Sequence, residues 1–354
     1  EREAEDQEDQ PQQYDPKPAS SGALPRLGRW ETDRRFTGCR HISPGPVTAS
    51  IPKKLTPGSL PGPLAIIIVD VVLRGGGMPA LLKLSRPVNC VMSAVGVLIG
   101  GVVAIGPAAW GSAAWTIFYA ALAAALFTAG GNTLNDLFDC ETDRVNHPDR
   151  PLVTGAVTIP EAKSFAVSVF VAAAALGGAA SPLCFVMVIL NAAVMYAYEA
   201  NLKRRGVPGN VVIAYLVGSL FLFAGVAVYR GDPAPLLRTS FLALLACLAT
   251  VGREITKDIE DMAGDVDRRT LPQRVGAVRA GHVAAGALLA GVVLSVVPWI
   301  LNILHWSYAL VVVVADGMFI YAALHSAASP TQSQRVTKYA MVVALLAFLA
   351  GGLL

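Results

Sequence analysis

The chain has 354 residues and a formal net charge of +3, and 54% of its residues are hydrophobic while only 15% are charged. A soluble domain averages about 45–50% apolar and about 25% charged residues, and the excess here lies in blocks about 20 residues long, the length that crosses a bilayer. This composition argues against a soluble enzyme, a disordered protein and a nucleic-acid-binding protein, so we expect a lipid bilayer and no nucleic acid among the partners.

Residues 1–77 differ from the rest of the chain. They contain acidic and Gln-rich runs, many Pro and Gly residues and little apolar periodicity. A segment of this composition cannot bury enough apolar surface to fold. We expect either a disordered tail or a non-native upstream extension with the natural start at Met78, and we favour the second. The folded membrane domain is predicted over residues 78–354.

Nine apolar segments follow one another from Pro87 onward. Backbone groups in lipid must form their hydrogen bonds within the segment, so each span is predicted to be a helix. The fold class is therefore an all-α integral membrane protein with a bundle of nine transmembrane helices. The predicted spans are 87–106, 111–131, 162–180, 182–199, 210–229, 237–254, 281–301, 307–326 and 337–354.

Lys and Arg residues predict the orientation of this bundle. They cluster before the first span and after the second, fourth, sixth and eighth spans, whereas the opposite loops carry only Arg230 and Arg238. Positively charged loops stay on the cytoplasmic side. We therefore expect a multi-pass protein of the cell membrane with its N-terminus in the cytoplasm and its C-terminus outside.

An acidic cluster follows the second span, at a predicted cytoplasmic end. It contains Asn132, Asn135, Asp136, Asp139 and Asp143. If the helix continues through this region, residues 135, 139 and 143 share one face because they are spaced four apart. Charged side chains are energetically unfavourable in membrane-spanning segments, so a cluster of them at the end of a span indicates a functional site.

A second acidic cluster follows the sixth span, on the same predicted side. Asp258, Asp261 and Asp265 lie within about 60° of each other on a helix. Their spacing repeats that of residues 132, 135 and 139 in the first cluster. We interpret the two clusters as halves of one site that face each other.

Two facing rows of carboxylates indicate a magnesium site. Mg²⁺ takes oxygen ligands and is usually shared between one or two carboxylates and substrate phosphates. The Lys and Arg residues nearby would neutralise a diphosphate, and the bundle behind the clusters would hold a long apolar tail. The sequence therefore predicts a lipid diphosphate as substrate.

Several motifs resemble those of the UbiA-type intramembrane prenyltransferases. The stretch NDLFDCETD (135–143) matches the family's NDxxDxxxD motif, and DIEDMAGD (258–265) matches its second, DxxDxxxD motif. Tyr198 and Lys203 in YEANLK and Arg86 and Asn89 in SRPVN (85–89) are also similar to family elements. The resemblance implies nine helices around a central cavity that opens sideways to lipid, with both acidic motifs at the cytoplasmic end.

We combine the motifs and the resemblance into one hypothesis for the site. Two Mg²⁺ ions bridge the diphosphate of a prenyl donor, the carbon–oxygen bond ionises, and the acceptor attacks the allylic cation. Asp136 is a candidate base. The predicted metal ligands are Asn135, Asp139, Asp143, Asp258, Asp261 and Asp265. The predicted catalytic residues are Asp139, Asp143, Asp261, Asp265, Lys203 and Tyr198, and the predicted substrate-binding residues are Arg86, Asn89, Asn132, Arg150, Lys203, Arg253 and Lys257.

The acceptor is the open question within the family. The segment 253–276 resembles the branch that transfers a geranylgeranyl group to geranylgeranylglyceryl phosphate in archaeal ether-lipid synthesis. An aromatic acceptor such as 4-hydroxybenzoate, used in quinone synthesis, is the alternative. A membrane transporter is the alternative outside the enzymes, but it would place isolated charges at mid-membrane, where this chain has few.

Overall fold

The computed structural model describes residues 78–262 and 269–353. The prediction for residues 1–77, whether tail or upstream extension, lies outside the described residues. The predicted ligand Asp265 lies outside them as well.

The described part of the chain contains nine helices that are long and apolar enough to cross a membrane. This confirms the predicted all-α bundle. Eight predicted spans each overlap one α-helix, and the seventh overlaps two consecutive ones, Ala277–Ser295 and Val297–Ile300. The α-helices run α1 Met78–Ser85, α2 Pro87–Ile105, α3 Trp110–Asn146, α4 Ile159–Ala180, α5 Pro182–Ala200, α6 Val207–Val228, α7 Ala234–Glu260, α8 Leu271–Val275, α9 Ala277–Ser295, α10 Val297–Ile300, α11 Ser307–His325 and α12 Pro330–Leu353. Short 3₁₀ turns at Pro107–Ala109 and Leu202–Arg205 precede α3 and α6.

Local signals in the sequence explain where these helices begin. Thr158 and Glu161 form a capping box at the start of α4, in which Glu161 Oε2 accepts a hydrogen bond from the Thr158 amide at 2.8 Å. Ser181 ends α4 and caps α5 by accepting from the Cys184 amide at 3.1 Å, and Pro182 occupies the first turn of α5. The two spans are thereby joined by a single residue and run antiparallel.

Two helices extend well beyond the predicted apolar spans. α3 continues through Asn146, fifteen residues past the predicted end of the second span, and α7 continues to Glu260. The first acidic motif therefore lies on a continuous helix, as its spacing required. The second motif differs because the helix ends before Asp261.

Small residues let the helices of this bundle approach closely, as is usual in membranes. Gly218 lies where α6 packs on α7, and a Cβ added there would come within 2.7 Å of the Ala243 carbonyl oxygen. In the described part of the chain, no atom lies within 4 Å of a Cβ added at Gly286 on α9. The first glycine is therefore required by packing, and the second is not.

We expect Gly218→Ala to destabilise the protein by about 1–3 kcal/mol, because the backbone of α7 must move to admit the methyl group. The matched Gly286→Ala variant should leave stability unchanged or raise it by up to about 1 kcal/mol through better helix propensity. The apparent melting temperature in detergent measures both changes. Equal melting temperatures for the two variants would contradict this account of the α6–α7 contact.

A cavity of about 420 Å³ lies between α2, α6, α7, α9, α11 and α12. Aliphatic and aromatic side chains, such as Val217, Leu245 and Phe348, form most of its wall. Arg253, Glu254 and Lys338 also line it. The bundle thus encloses an apolar space bordered by a few charged groups.

Candidate active site

The first acidic motif forms a hydrogen-bonded cluster with the end of α5. Asn135 on α3 donates through Nδ2 to Asp139 Oδ2 at 3.1 Å and to Glu199 Oε1 at 3.0 Å. Lys203 forms ion pairs with both carboxylates, at 3.1 Å for Glu199. Asn135 and Asp139 therefore lie side by side on one helix face, with the Lys203 ammonium against them.

The same stretch of α3 supports a second group of ion pairs. Asp136 is 3% exposed and Asp143 is 4% exposed. Arg150 forms ion pairs with both, at 3.0 Å for Asp136, and Arg86 pairs with Asp136 as well. Two arginines thus enclose the Asp136 carboxylate. The role of Asp136 as a base stays a prediction.

Arg86 reaches this group from the junction between α1 and α2. Its backbone is left-handed, with φ 53°, which is uncommon for a residue with a side chain. Asn132 Nδ2 donates to the Ser85 carbonyl oxygen at 2.8 Å and ties the junction to α3. The Arg86 guanidinium then also contacts Asn135 Oδ1 at 3.3 Å. Asn89, predicted to bind substrate, is exposed, and its side chain forms no hydrogen bond with the described residues.

The loop after α3 is tied back to α1 at the surface. Lys83 Nζ donates to the Asp149 carbonyl oxygen at 2.8 Å and pairs with its carboxylate at 3.1 Å. The hydrogen bond from Lys83 to this carboxylate lowers the pKa of the Asp149 carboxyl below its ordinary value. The neighbouring Arg150 is thereby held over the end of α3.

The second acidic motif lies at the end of α7. Asp258 Oδ2 accepts a hydrogen bond from Asn210 Nδ2 at 2.8 Å. Asp261 lies just past the helix, about half exposed, and forms an ion pair with Lys257 at 3.5 Å. Arg253 pairs with its neighbour Glu254. The predicted helical row 258, 261 and 265 is therefore interrupted after Glu260.

One short segment connects the two motifs. Lys203, which binds Asp139, and Asn210, which binds Asp258, are seven residues apart around the turn into α6. Gly209 makes this turn possible, since a Cβ there would lie 2.7 Å from the Leu202 carbonyl oxygen. Both motifs therefore lie at the same end of the bundle, as the span parity predicted.

Glu199 is a member of the cluster that the sequence reasoning missed. Its side chain is 1% exposed and contacts both Lys203 and Asn135. A carboxylate at the end of an apolar span, four residues before a lysine, was the available signal. Tyr198 precedes it and is partly buried on the same helix.

The arrangement provides oxygen ligands for a cation together with positive groups for a phosphate. No group of three or more His, Cys, Asp or Glu side chains within residues 78–262 and 269–353 has metal-binding geometry. Asn135 and Asp139 remain adjacent, whereas the Asp143 carboxylate is buried against Arg150. Its role as a metal ligand stays a prediction, and a metal here would need substrate oxygens to complete its shell.

Comparisons with known proteins agree with this architecture. The model of the UbiA prenyltransferase family matches residues 93–351. Digeranylgeranylglyceryl phosphate synthase of Methanopyrus kandleri is 37% identical over 278 residues, which cover 77% of this chain and 99% of that protein. A solved structure of a digeranylgeranylglyceryl phosphate synthase is 31% identical, with a TM-score of 0.65, and covers 77% of this chain and 98% of that one.

A more distant structure shares the fold. A UbiA homologue from Archaeoglobus fulgidus, solved with GPP and Mg²⁺, is 18% identical, with a TM-score of 0.54, over 77% of this chain and 98% of its own. The family match spans well over half of the chain, and the resemblance seen in the motifs is confirmed. The chain is a multi-pass membrane protein that belongs to the UbiA prenyltransferase family.

Proposed function

We propose that this chain transfers a geranylgeranyl group from geranylgeranyl diphosphate to geranylgeranylglyceryl phosphate, in a Mg²⁺-dependent step of ether-lipid synthesis. The observation that carries the proposal is the match to the Methanopyrus kandleri synthase over 99% of that protein. The solved synthase at 31% identity supports it. The apolar cavity beside Arg253 is suited to isoprenoid chains.

The donor diphosphate would bind between the two acidic motifs. Lys203, Arg150 and Lys257 are the cations we assign to it, as predicted from the sequence. Each of them now forms an ion pair with a carboxylate of the motifs. Diphosphate binding would therefore exchange carboxylate partners for phosphate oxygens and leave the carboxylates available for a metal.

The donor set at the first motif fits Mg²⁺. Asn135 and Asp139 offer amide and carboxylate oxygens on one helix face, and Mg²⁺ typically binds one or two carboxylates plus substrate phosphates. When bound, Mg²⁺ would offset the charge that develops on the departing diphosphate. We propose two ions, with Asp258 and Asp261 contributing to the second. The Mg²⁺ in the Archaeoglobus fulgidus homologue supports magnesium as the metal.

The residues of this chain would then control the ionisation of the prenyl diphosphate. The bond between C1 and the diphosphate oxygen breaks, and its electron pair leaves with the diphosphate. The acceptor hydroxyl oxygen bonds to C1, and its proton passes to an oxygen of the departing diphosphate. The mostly apolar wall of the cavity would disfavour water, which would otherwise capture the cation. We assign the Tyr198 ring to stabilise the allylic cation by its electron-rich face.

We also propose the orientation of the site. The two motifs and most loop cations lie at one end of the bundle, and positively charged loops remain in the cytoplasm. The diphosphate site would thus face the cytoplasm, with the N-terminus on the same side and the C-terminus outside.

A turnover assay tests the proposal. Purified protein in detergent receives Mg²⁺ and geranylgeranyl diphosphate, with geranylgeranylglyceryl phosphate in one reaction and 4-hydroxybenzoate in another, and each has an EDTA control. We expect diether product in the first reaction alone, and EDTA should abolish it. Prenylated aromatic product in the second reaction alone would contradict the acceptor assignment and favour quinone synthesis.

A further inference from the structure

The cavity reaches the outside of the bundle between α2 and α12. Met92 on α2 and Val342 on α12 both line it, and they are 42% and 46% exposed. Lys338, one turn before Val342, also lines it and is exposed. Lys338 lies two turns into α12, at the start of the apolar stretch of that helix, where the ninth span was predicted to begin.

Lys338 differs from the other charged groups of this cavity. Arg253 and Glu254 neutralise each other, and the Asp316 carboxylate accepts a hydrogen bond from Ser295 Oγ at 2.8 Å. Within the described residues, the Lys338 ammonium has no hydrogen bond and no carboxylate within 4.0 Å. An ammonium that borders an apolar cavity without a protein partner is suited to bind an anionic ligand.

We propose that Lys338 binds the phosphate head of the acceptor lipid at this lateral opening, a role that rests on the proposed function. A ligand here must combine an anion for the ammonium with an apolar tail for the cavity and the surrounding lipid. Lysine suits a phosphate as a compact point charge. Arg253 lines the same cavity and lies about 7.5 Å along α7 from Asp258, at 1.5 Å per residue. The acceptor head would therefore lie close to the donor diphosphate.

Arg86, which the sequence predicts as a substrate-binding residue, is the other candidate for the acceptor phosphate. Arg86 already balances Asp136 and contacts Asn135 at 3.3 Å, so its charge is compensated within the cluster. Among the residues that the structure describes, no carboxylate compensates the charge of Lys338, which lies where a membrane lipid can enter from the side. The proposal therefore makes Lys338 a determinant of preference for phosphorylated acceptors.

The test compares Lys338→Met, Lys338→Arg and the control Arg335→Met, which removes an exposed cation that does not line the cavity. Each protein is assayed with geranylgeranylglyceryl phosphate and with its dephosphorylated alcohol, and phosphate-acceptor binding is measured without donor. We expect Lys338→Met to raise KM and Kd for the phosphate acceptor about tenfold, as loss of one charge-assisted contact implies. Its donor KM and its activity with the alcohol should stay unchanged, and Lys338→Arg and Arg335→Met should behave like the parent.

Other outcomes would overturn the proposal. An unchanged Kd for the phosphate acceptor, or an equal loss with both acceptors, would contradict it. Loss of copurified bilayer phospholipid from Lys338→Met with an unchanged acceptor KM would assign the site to a structural phosphodiester lipid instead. Failure of the parent protein to convert the phosphate acceptor would contradict the proposed function, whereas a converting parent with an unaffected Lys338→Met would contradict this inference alone.

Discussion

Asp139→Asn is expected to reduce turnover by at least about a thousandfold under saturating donor and Mg²⁺. The substitution keeps the shape and the contact with Asn135 but removes the charge that both Lys203 and a metal would use. Loss of one preorganised electrostatic group in an active site costs about a hundredfold to a thousandfold, and loss of a metal ligand adds to this. Single-turnover kinetics with geranylgeranyl diphosphate measure the chemical step directly.

Glu141→Gln is the matched control for this prediction. Glu141 lies on the same helix two residues later, but it is exposed and has no hydrogen bond with the described residues. The turnover of Glu141→Gln should equal that of the parent protein. Full activity of Asp139→Asn would refute the assignment of the first motif to the donor diphosphate.

Asp136→Ala is expected to lower the free energy of unfolding by about 3 kcal/mol, the lower end of the range for breaking a buried ion pair. The variant leaves Arg86 and Arg150 facing each other around an empty buried position. Arg150 keeps Asp143 as a partner, which limits the loss. Unfolding in mixed SDS and detergent micelles measures the change.

Asp149→Asn provides the contrast. The Lys83–Asp149 pair is exposed, and Lys83 keeps its hydrogen bond to the Asp149 carbonyl oxygen after the substitution. Exposed pairs contribute little because water and salt screen them. The unfolding transition of Asp149→Asn should match that of the parent. An equal loss of unfolding free energy in Asp136→Ala and Asp149→Asn would contradict the role given to the burial of Asp136.

Most of the fold could be predicted from the sequence. Each span is a run of apolar residues of bilayer length, and a helix is the structure that satisfies its backbone in lipid. The four-residue spacing of Asn135, Asp139 and Asp143 required the second span to continue as a helix, and α3 does so. Hydropathy alone predicted an end at residue 131, because the polar and acidic residues that follow lower the hydropathy whether or not the helix continues.

The partners within the site could not be predicted in the same way. Asp139 pairs with a lysine 64 residues later, and Asp136 with an arginine 50 residues earlier. These contacts depend on how helices pack, which one sequence does not reveal. Glu199 and Lys338 were missed for this reason, since their importance follows from burial in one case and from exposure to a cavity in the other.

The length of α3 couples the active site to the thickness of the membrane. From Trp110 to Asp139 the helix measures about 44 Å, at about 1.5 Å per residue, whereas the hydrocarbon core is about 30 Å thick. The same helix, α3, thus spans the hydrocarbon core and carries the acidic motif beyond it. Lipids with longer acyl chains would draw that motif toward the hydrocarbon or tilt α3. The acyl-chain length of reconstituted bilayers should therefore change how the donor site lies relative to the membrane surface, without any change in the contacts within the site.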